Sequence, residues 1–151
     1  MLDDTDRRIL RQYQADPELS TADLAARCNM TVASCWRRLE KLESHGVIRG
    51  HEAIIDWRAL GYTVEVSLRM TLDKTHANAF DEFIAAARQV PEVLEVQTFL
   101  GRVDTRLSVI ARDMEHYQHV YRTQILTLPH ITDIEALMHV ARIKSDEALP
   151  L

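Results

Sequence analysis

The spacing of apolar residues changes near residue 61, and this change limits the possible folds more than any other feature. After Gly61, apolar residues alternate with other residues over eleven positions, at Tyr62, Val64, Val66, Leu68, Met70 and Leu72. A period of two predicts a β-strand with one buried face. Before Gly46, the apolar spacing is helical instead. We therefore expect an α+β protein whose N-terminal part is helical.

Three short helices are predicted before Gly46. Asp3, Ser20 and Thr31 are expected to cap them, because each side chain can accept a hydrogen bond from a first-turn amide. Only Asn29 and Met30 separate the second helix from the third, and Asn tolerates the left-handed backbone that so short a turn needs. The inward-facing residues of the third helix are expected to be Val32, Cys35, Leu39 and Leu42. This arrangement is typical of a helix-turn-helix.

Residues 47–56 follow the third helix and are predicted to be a β wing or a linker strand. We expect three regions along the chain. They are a winged helix-turn-helix domain over 1–50, a linker strand over 51–61 and a second domain over 62–151.

The second domain is predicted to contain four strands and two helices. Strands are expected over 62–72, 93–100, 103–111 and 131–143, and helices over 77–90 and 114–126, with Gly101-Arg102 as a hairpin turn. The order β-α-β, β-α-β is that of a ferredoxin-like fold with helices on one face of its sheet. The other face needs a cover, and a second copy of the chain is the simplest one.

Composition excludes several other classes of protein. The 151 residues are 46% apolar and 27% charged, which indicates a globular core rather than a disordered chain. No apolar run approaches the roughly 18 residues that span a bilayer, and the N-terminus is acidic where a signal peptide would be basic. We therefore expect a cytoplasmic protein with no membrane partner. Two cysteines, Cys28 and Cys35, are too few for a disulfide framework.

Basic residues are concentrated where a recognition helix would lie. The net charge is −5, yet residues 31–50 carry four basic side chains against two acidic ones. The candidate DNA-binding residues are Thr31, Ser34, Trp36, Arg37, Arg38 and Lys41. Arg and Lys can pair with phosphate or a guanine edge, Thr and Ser can reach phosphate or base, and Trp can pack on a sugar or a thymine methyl group. The alternative is a solvated amphipathic helix in which Arg38 makes an intramolecular ion pair.

Two further groups of residues each have a functional and a structural interpretation. Asp104 can accept hydrogen bonds from a ligand ammonium, and the amides of 101–103 can hold a carboxylate. Gly and Asp are also ordinary hairpin formers, and from the residues alone this turn interpretation is favoured. Cys28 and Cys35 could form a redox switch, but small buried hydrophobic residues are the favoured interpretation.

Catalysis and metal binding have little support in the sequence. His116 and His119 are spaced to share a metal, but no further ligand has suitable spacing, so solvated or interface histidines are favoured. The chain has no phosphate loop, nucleophile elbow or paired carboxylates on a shared face. We therefore predict no catalytic residue, no metal and no cofactor, and we do not expect an enzyme.

Several motifs together resemble the Lrp/AsnC family of bacterial and archaeal regulators. They are LDDTDRRIL at 2–10, LAAR at 24–27, RLEKLESHGVI at 38–48, GRVD at 101–104, and the ending at 143–144 with 149–151. The match runs over nearly the whole chain in the family's order and spacing. The set of motifs carries the resemblance rather than any one of them.

The resemblance implies how such a chain assembles and what it binds. Linker strands would pair across a dimer, and dimers would assemble further, often to octamers. An effector, usually an amino acid, would bind between dimers, and the implied residues are Gly101, Arg102, Val103 and Asp104 with Glu135 and Ala136 of the last strand. The sequence departs from the family at Thr105, where an aromatic residue is common, and at Glu135-Ala136-Leu137, where the strand often offers Thr or Ser.

Three hypotheses for function follow. The leading one is a nucleoid-associated transcription regulator that binds double-stranded DNA and whose assembly a small molecule shifts. The second is a DNA-organising protein with little effector response, which Thr105, Glu135 and Leu137 would suit. The third is a ligand-binding metabolic module, since ferredoxin-like folds also serve such roles. The helical start and the local basic patch favour the first two, while the effector, the operator and the oligomer size stay open.

Overall fold

The structure, a computed structural model, describes residues 2–144 and 148–151. Within these residues the chain forms two compact units, one of Met1–Ile54 with Lys144–Leu151 and one of Ile55–Ile143. The first unit contains helices α1 (Asp4–Ala15), α2 (Thr21–Arg27) and α3 (Val32–Ser44). The second contains β1 (Val64–Leu72), α4 (Ala79–Ala87), β2 (Val93–Thr98), β3 (Thr105–Ala111), α5 (Met114–Val120) and β4 (Ile131–Met138).

Side-chain caps begin the three helices of the first unit, as predicted. Asp3 accepts a hydrogen bond from the Asp6 amide at 2.7 Å, and the Asp6 carboxylate accepts one from the Asp3 amide at 3.2 Å. Ser20 and Thr31 accept bonds from the amides three residues on, at 3.1 and 3.2 Å. Each cap typically contributes about 1 kcal/mol. Local sequence therefore determines where each helix begins.

A tight turn joins α2 to α3 and closes the core of the first unit. Asn29 adopts a left-handed backbone with a φ of 52°, and the Met30 amide donates to the Ala25 carbonyl at 3.0 Å. The buried residues of this core are Ile9, Leu24, Ala25, Cys28, Cys35 and Leu42. Gly46 follows α3 with a φ of 67°, which suits a glycine that ends a helix. The predicted helix-turn-helix is confirmed.

The predicted inward position of Val32 is wrong. Its side chain is 50% exposed, whereas Cys35 and Leu42 of the same helix are buried. Val32 lies in the first turn of α3, at the edge of the buried stripe and one turn before the exposed Trp36. Helical spacing alone does not show on which side of that edge a residue falls.

No strand forms over 51–61 in the described part of the chain, so the predicted linker strand is not present as such. Val47 and Ile48 instead fold back on α3, where both amides donate to the Leu42 carbonyl. Between residues 56 and 61 the backbone hydrogen bonds close local turns. A strand needs a neighbouring strand to complete its hydrogen bonds, and the bonds of this segment are local instead.

The second unit is an antiparallel sheet with the strand order β2-β3-β1-β4. The alternating residues that predicted β1 are confirmed, since Val66, Leu68, Met70 and Leu72 are all buried. They pack in one core with Leu107 and Val109 of β3, Phe83 and Ala87 of α4, and Tyr117 and Val120 of α5. The helices therefore cover one face of the sheet, as expected for a ferredoxin-like fold.

Several elements are shorter than predicted. The last strand, expected to reach residue 143, ends at Met138, and α4 covers Ala79–Ala87 rather than 77–90. α5 ends at Val120 and is followed by a π-helical turn, Tyr121–Ile125. The predicted apolar stripe continues through that turn, because Ile125 is buried. Among the described residues, every helix is too short or too polar to cross a bilayer.

The sheet face opposite the helices carries a row of polar side chains across all four strands. The row is Gln97, Arg106, Arg69 and Glu135, in the order β2, β3, β1 and β4. Arg106 lies 3.1 Å from the carboxylate of Glu95, and Arg69 lies 3.7 Å from that of Glu135. Two arginines are thus neighbours in the middle of the row. We call this surface the open face.

The C-terminal tail, which the sequence placed in the second domain of 62–151, packs with the first unit. The side chain of Gln14 accepts a hydrogen bond from the Leu149 amide and donates one to the Leu149 carbonyl, both at 2.9 Å. Arg11 donates to the Leu151 carbonyl at 2.9 Å. These bonds attach the tail to α1.

Candidate DNA-binding surface and effector loop

The outer surface of α3 is cationic and polar. Arg37 and Lys41 are one turn apart and both exposed, and Ser34 is half-buried near the start of the helix. The Thr31 oxygen accepts the hydrogen bond of the Ser34 amide at 3.2 Å, so its first role is to begin the helix. Exposed Arg and Lys side chains on a recognition helix can meet phosphates or base edges.

A shallow, open apolar groove lies at the N-terminal end of α3. It is lined by Thr21, Val32, Ala33, Trp36 and Arg37. Trp36 is 55% exposed, which is unusual for so large an apolar side chain and is typical of an interaction surface. Sequence reasoning included Trp36 but missed Val32 and Ala33, although the i, i+4 spacing of Val32 and Trp36 was available as a signal.

Arg38 makes the intramolecular ion pair that the sequence offered as its alternative role. Its guanidinium lies 2.8 Å from the Asp3 carboxylate and 2.6 Å from that of Asp6, whose side chain is 5% exposed. The hydrogen bonds to Asp3 and then Asp6 raise the pKa of Arg38, and the bond from Arg38 lowers the pKa of Asp3. Arg38 therefore ties α3 to the start of α1, and it acts by positioning the helix.

The predicted effector loop joins β2 to β3. Gly101 and Arg102 are exposed, Val103 is half-buried, and Asp104 is 2% exposed. The Asp104 amide donates to the Met70 carbonyl at 3.0 Å, and the Phe99 amide donates to the Asp104 carbonyl at 2.9 Å. The end of the loop is thus fixed against β1, while Gly101 and Arg102 project into solvent.

Both carboxylate oxygens of Asp104 have partners within the chain. The Leu72 amide donates to one oxygen at 2.9 Å, and the Lys74 ammonium lies 2.9 Å from the other. Burial alone would raise the pKa of Asp104, but Lys74 and the Leu72 amide outweigh it and hold the pKa below its usual value. Lys74 was missed by sequence reasoning, because nothing local links it to a residue 30 positions away. This geometry supports the turn-forming interpretation of Asp104.

The other two predicted effector residues lie across the sheet from the loop. Glu135 is paired with Arg69 and Ala136 with Leu68, both on β1, and both β4 residues are exposed. Because β1 lies between β3 and β4, it separates these residues from the loop within one chain.

Comparison with known families accounts for both units. A model described as winged helix-turn-helix DNA-binding matches residues 2–49, and one described as Lrp/AsnC ligand binding domain matches residues 65–149, more than half of the chain. The chain belongs to the Lrp/AsnC family.

Relatives of this Lrp/AsnC chain match it over its whole length. The HTH-type transcriptional regulator Zrp of Zymomonas mobilis is 31% identical over 150 residues, which cover 99% of this chain and 97% of Zrp. The DNA-binding transcriptional activator DecR of Escherichia coli is 28% identical over 151 residues, which cover 100% and 99%. The crystal structure of the transcriptional regulator NMB0573 of Neisseria meningitidis, a complex with L-Met, has a TM-score of 0.91 at 27% identity, covering 99% and 97%. The chain is therefore a DNA-binding transcription regulator.

The two cysteines of this Lrp/AsnC protein lie inside the helix-turn-helix core. Cys28 and Cys35 are both free thiols and fully buried. Burial raises the pKa of both thiols, and for Cys35 the neighbouring Cys28 adds to the effect. Thiols that stay protonated at neutral pH are poor nucleophiles, which favours their interpretation as small buried hydrophobic residues.

His116 has a structural position in the ligand-binding domain of this Lrp/AsnC chain. Its Nδ1 accepts a hydrogen bond from the Arg112 amide at 3.2 Å, and its Nε2 lies 3.4 Å from the Glu92 carboxylate. Over residues 2–144 and 148–151, no group of three or more His, Cys, Asp or Glu side chains is arranged to hold a metal ion.

Proposed function

We propose that this regulator binds double-stranded DNA through the outer surface of α3 and that a small molecule, in the first instance an amino acid, changes its assembly. The observation that carries the DNA-binding surface is the exposed pair Arg37 and Lys41 on α3, beside Ser34 and Trp36. Arg38 holds the helix in place from its inner side through Asp3 and Asp6. Such a protein acts at the chromosome, so the proposal includes a nucleoid-associated, cytoplasmic location.

A salt titration tests the DNA-binding surface. Phosphate contacts make the logarithm of the affinity fall linearly with the logarithm of the salt concentration. We expect Arg37→Ala and Lys41→Ala each to weaken binding and, where the side chain meets phosphate, to reduce the slope by about 1. Arg88→Ala, which removes an exposed charge just after α4 in the other unit, is the matched control. An unchanged affinity in both α3 variants would contradict the assignment.

The open face supports the proposed dimer. Arg69 and Arg106 are direct cross-strand neighbours, and like charges so placed are destabilising. In the proposed dimer a second copy covers this face, and residues 51–61 of the two copies are proposed to pair with each other. Dimers of this kind are proposed to assemble further, up to an octamer, and the effector is proposed to bind where dimers meet.

The proposed effector site combines residues of different chains. The exposed amides of Gly101 and Arg102, with Val103, offer donors to a carboxylate. Since β1 separates them from Glu135 and Ala136 within one chain, β4 of another chain is the proposed second wall. Asp104 would hold the loop for the ligand. The L-Met bound by the Neisseria meningitidis relative makes amino acids the first compounds to test.

Thermal unfolding of the protein against all twenty amino acids tests the effector. A ligand at about 100 times its dissociation constant stabilises the native state by about 2.7 kcal/mol, which shifts the midpoint visibly. Gly101→Ala tests whether the ligand binds at the loop. The added Cβ would meet nothing within 4 Å in the chain, so the variant should fold normally and should affect only a bound ligand. A ligand shift that this variant loses, with an unchanged midpoint in the absence of ligand, would place the ligand at the loop. No shift with any amino acid would overturn the amino-acid effector.

A DNA-organising protein with little effector response is the second candidate. The observation that favours it is the saturation of Asp104 by Lys74 and the Leu72 amide, beside the pairing of Glu135 with Arg69. Both groups that could hold a ligand ammonium are thus already engaged. Unchanged DNA affinity and unchanged assembly with every amino acid would support this candidate.

A further inference from the structure

We infer that the apolar groove at the start of α3 reads thymine, by packing Trp36, Val32 and Ala33 around the 5-methyl group in the major groove. The inference rests on the proposed DNA-binding surface and adds which base it selects. In a helix-turn-helix, the N-terminal residues of the second helix contact base edges. The groove lies in this part of α3, between its first turn and Arg37.

The composition of the groove limits what can occupy it. Val32 is 50% and Trp36 55% exposed, and Ala33 is exposed between them. The thymine methyl group is the one apolar group on the base edges of the major groove, because the other positions are hydrogen-bond donors and acceptors. A guanine or cytosine edge placed here would lose hydrogen bonds to water without replacement.

The charges around the apolar groove favour a base edge, rather than the sugar-phosphate backbone, as its occupant. Arg37 borders the groove and Lys41 lies one turn farther, so the DNA backbone has cationic partners on one flank of α3. On the other side, Glu40 lies one turn after Trp36 and is exposed. If Trp36 packed on the sugar-phosphate backbone, the Glu40 carboxylate would approach phosphates of like charge. With Trp36 over a base edge, Glu40 faces the floor of the DNA major groove, where a cytosine amino group can donate to it.

The test removes one methyl group from the DNA and leaves the protein unchanged. A preferred duplex is first selected from a random library with the full-length protein. Each thymine of that duplex is then replaced in turn by deoxyuridine, which keeps the base pair and loses the 5-methyl group. We expect about a fourfold loss of affinity at one or two positions of each half-site, the value of burying one methyl group, and no change elsewhere.

Two variants assign the effect to the groove. Trp36→Ala removes an exposed side chain, so the midpoint of thermal unfolding should be unchanged. Its affinity should be the same for the thymine and uracil duplexes at the sensitive positions. Lys41→Ala is the matched control, and it should weaken binding to both duplexes by the same factor while the fourfold difference between them remains.

The outcomes separate this inference from the proposed function. A selected duplex that binds tightly but tolerates every uracil would overturn thymine recognition and leave the DNA-binding surface in place. A uracil effect that persists in Trp36→Ala would assign the methyl contact to another part of the protein and overturn the role of the groove. Equal binding to all duplexes, with no sequence selected, would overturn thymine recognition and favour the DNA-organising protein, whereas no binding to any duplex would overturn both proposals.

Discussion

Adjacent residues of α3 have opposite roles. Arg37 points into solvent beside the apolar groove, whereas Arg38 is directed back to Asp3 and Asp6. A helix turns by about 100° per residue, so one step along the chain separates the exposed side of α3, which is the proposed DNA-binding side, from its packing side. The basic pair therefore cannot be treated as one charged patch.

Replacing each arginine by alanine should separate these roles. Arg37→Ala should weaken DNA binding with an unchanged midpoint of thermal unfolding. Arg38→Ala leaves the buried Asp6 carboxylate without its cationic partner, with the hydrogen bond from the Asp3 amide remaining, which should lower the free energy of unfolding by about 1–3 kcal/mol. Urea unfolding and a DNA-binding titration measure the two effects. The opposite pattern, with Arg37→Ala destabilised and Arg38→Ala intact, would contradict the assignment.

The buried thiols should react slowly in the folded protein. Burial keeps Cys28 and Cys35 protonated, so a thiol reagent at neutral pH should label them over hours when folded and within minutes in urea. The expected final yield is two thiols per chain. Rapid labelling of the folded protein, accompanied by loss of DNA binding, would instead favour the redox switch.

At the scale of elements, the helix caps could be predicted from the sequence, but the contacts between distant segments could not. The caps at Asp3, Ser20 and Thr31 follow from neighbouring residues, as does the alternation that places β1. The ion pair between Asp104 and Lys74 and the attachment of Leu149 to Gln14 depend on residues that are distant in sequence. Sequence patterns carry no record of such neighbours, so the start and the extent of α3 were predicted well, whereas the contacts that hold the β2–β3 loop were not.

The ion pair between Asp104 and Lys74, which holds the β2–β3 loop, should make the free energy of unfolding depend on pH. The pKa of Asp104 is lowered in the folded chain, so its contribution is fully present above the unfolded value of about 3.9 and is lost as the pH falls through the folded value. Asp104→Asn should therefore be less stable than the parent protein at pH 7, by about 1–3 kcal/mol, and the difference should shrink below about pH 4.

Urea unfolding at pH 7 and pH 3 measures this dependence. Asp133→Asn, which changes an exposed carboxylate on β4, is the control and should differ little from the parent at either pH. A deficit in Asp104→Asn that is the same at both values would show that packing rather than charge holds the loop.

At the scale of the whole molecule, the open face has the polar character of a surface that meets a second copy or water. Ser67 lies near its middle, between Ser108 on β3 and Leu137 on β4. These neighbours are small or apolar, and Arg69 and Arg106 beside them already lie near the carboxylates of Glu135 and Glu95. The proposed dimer uses both properties.

Ser67→Arg should therefore prevent dimer formation. Ser67 is only 8% exposed in the single chain, so the longer arginine side chain would have to project out of the sheet into the covered face, and we expect sedimentation to show the mass of a single chain. Glu115→Arg makes a similar change on the exposed side of α5 and should leave the mass unchanged. Far-ultraviolet circular dichroism checks that both variants keep their secondary structure. A full-size assembly in Ser67→Arg would show that another surface joins the chains.

The strand order has a consequence for the order in which the protein is made. All buried residues of the helix-turn-helix core lie between Ile9 and Leu42, so this core can close as soon as its residues leave the ribosome. β1, in contrast, must wait for β3 and for β4, which ends at Met138. At roughly 5–20 residues per second, each nascent chain therefore carries a closed helix-turn-helix core, without the C-terminal tail that later attaches to α1, for several seconds before its second unit can fold.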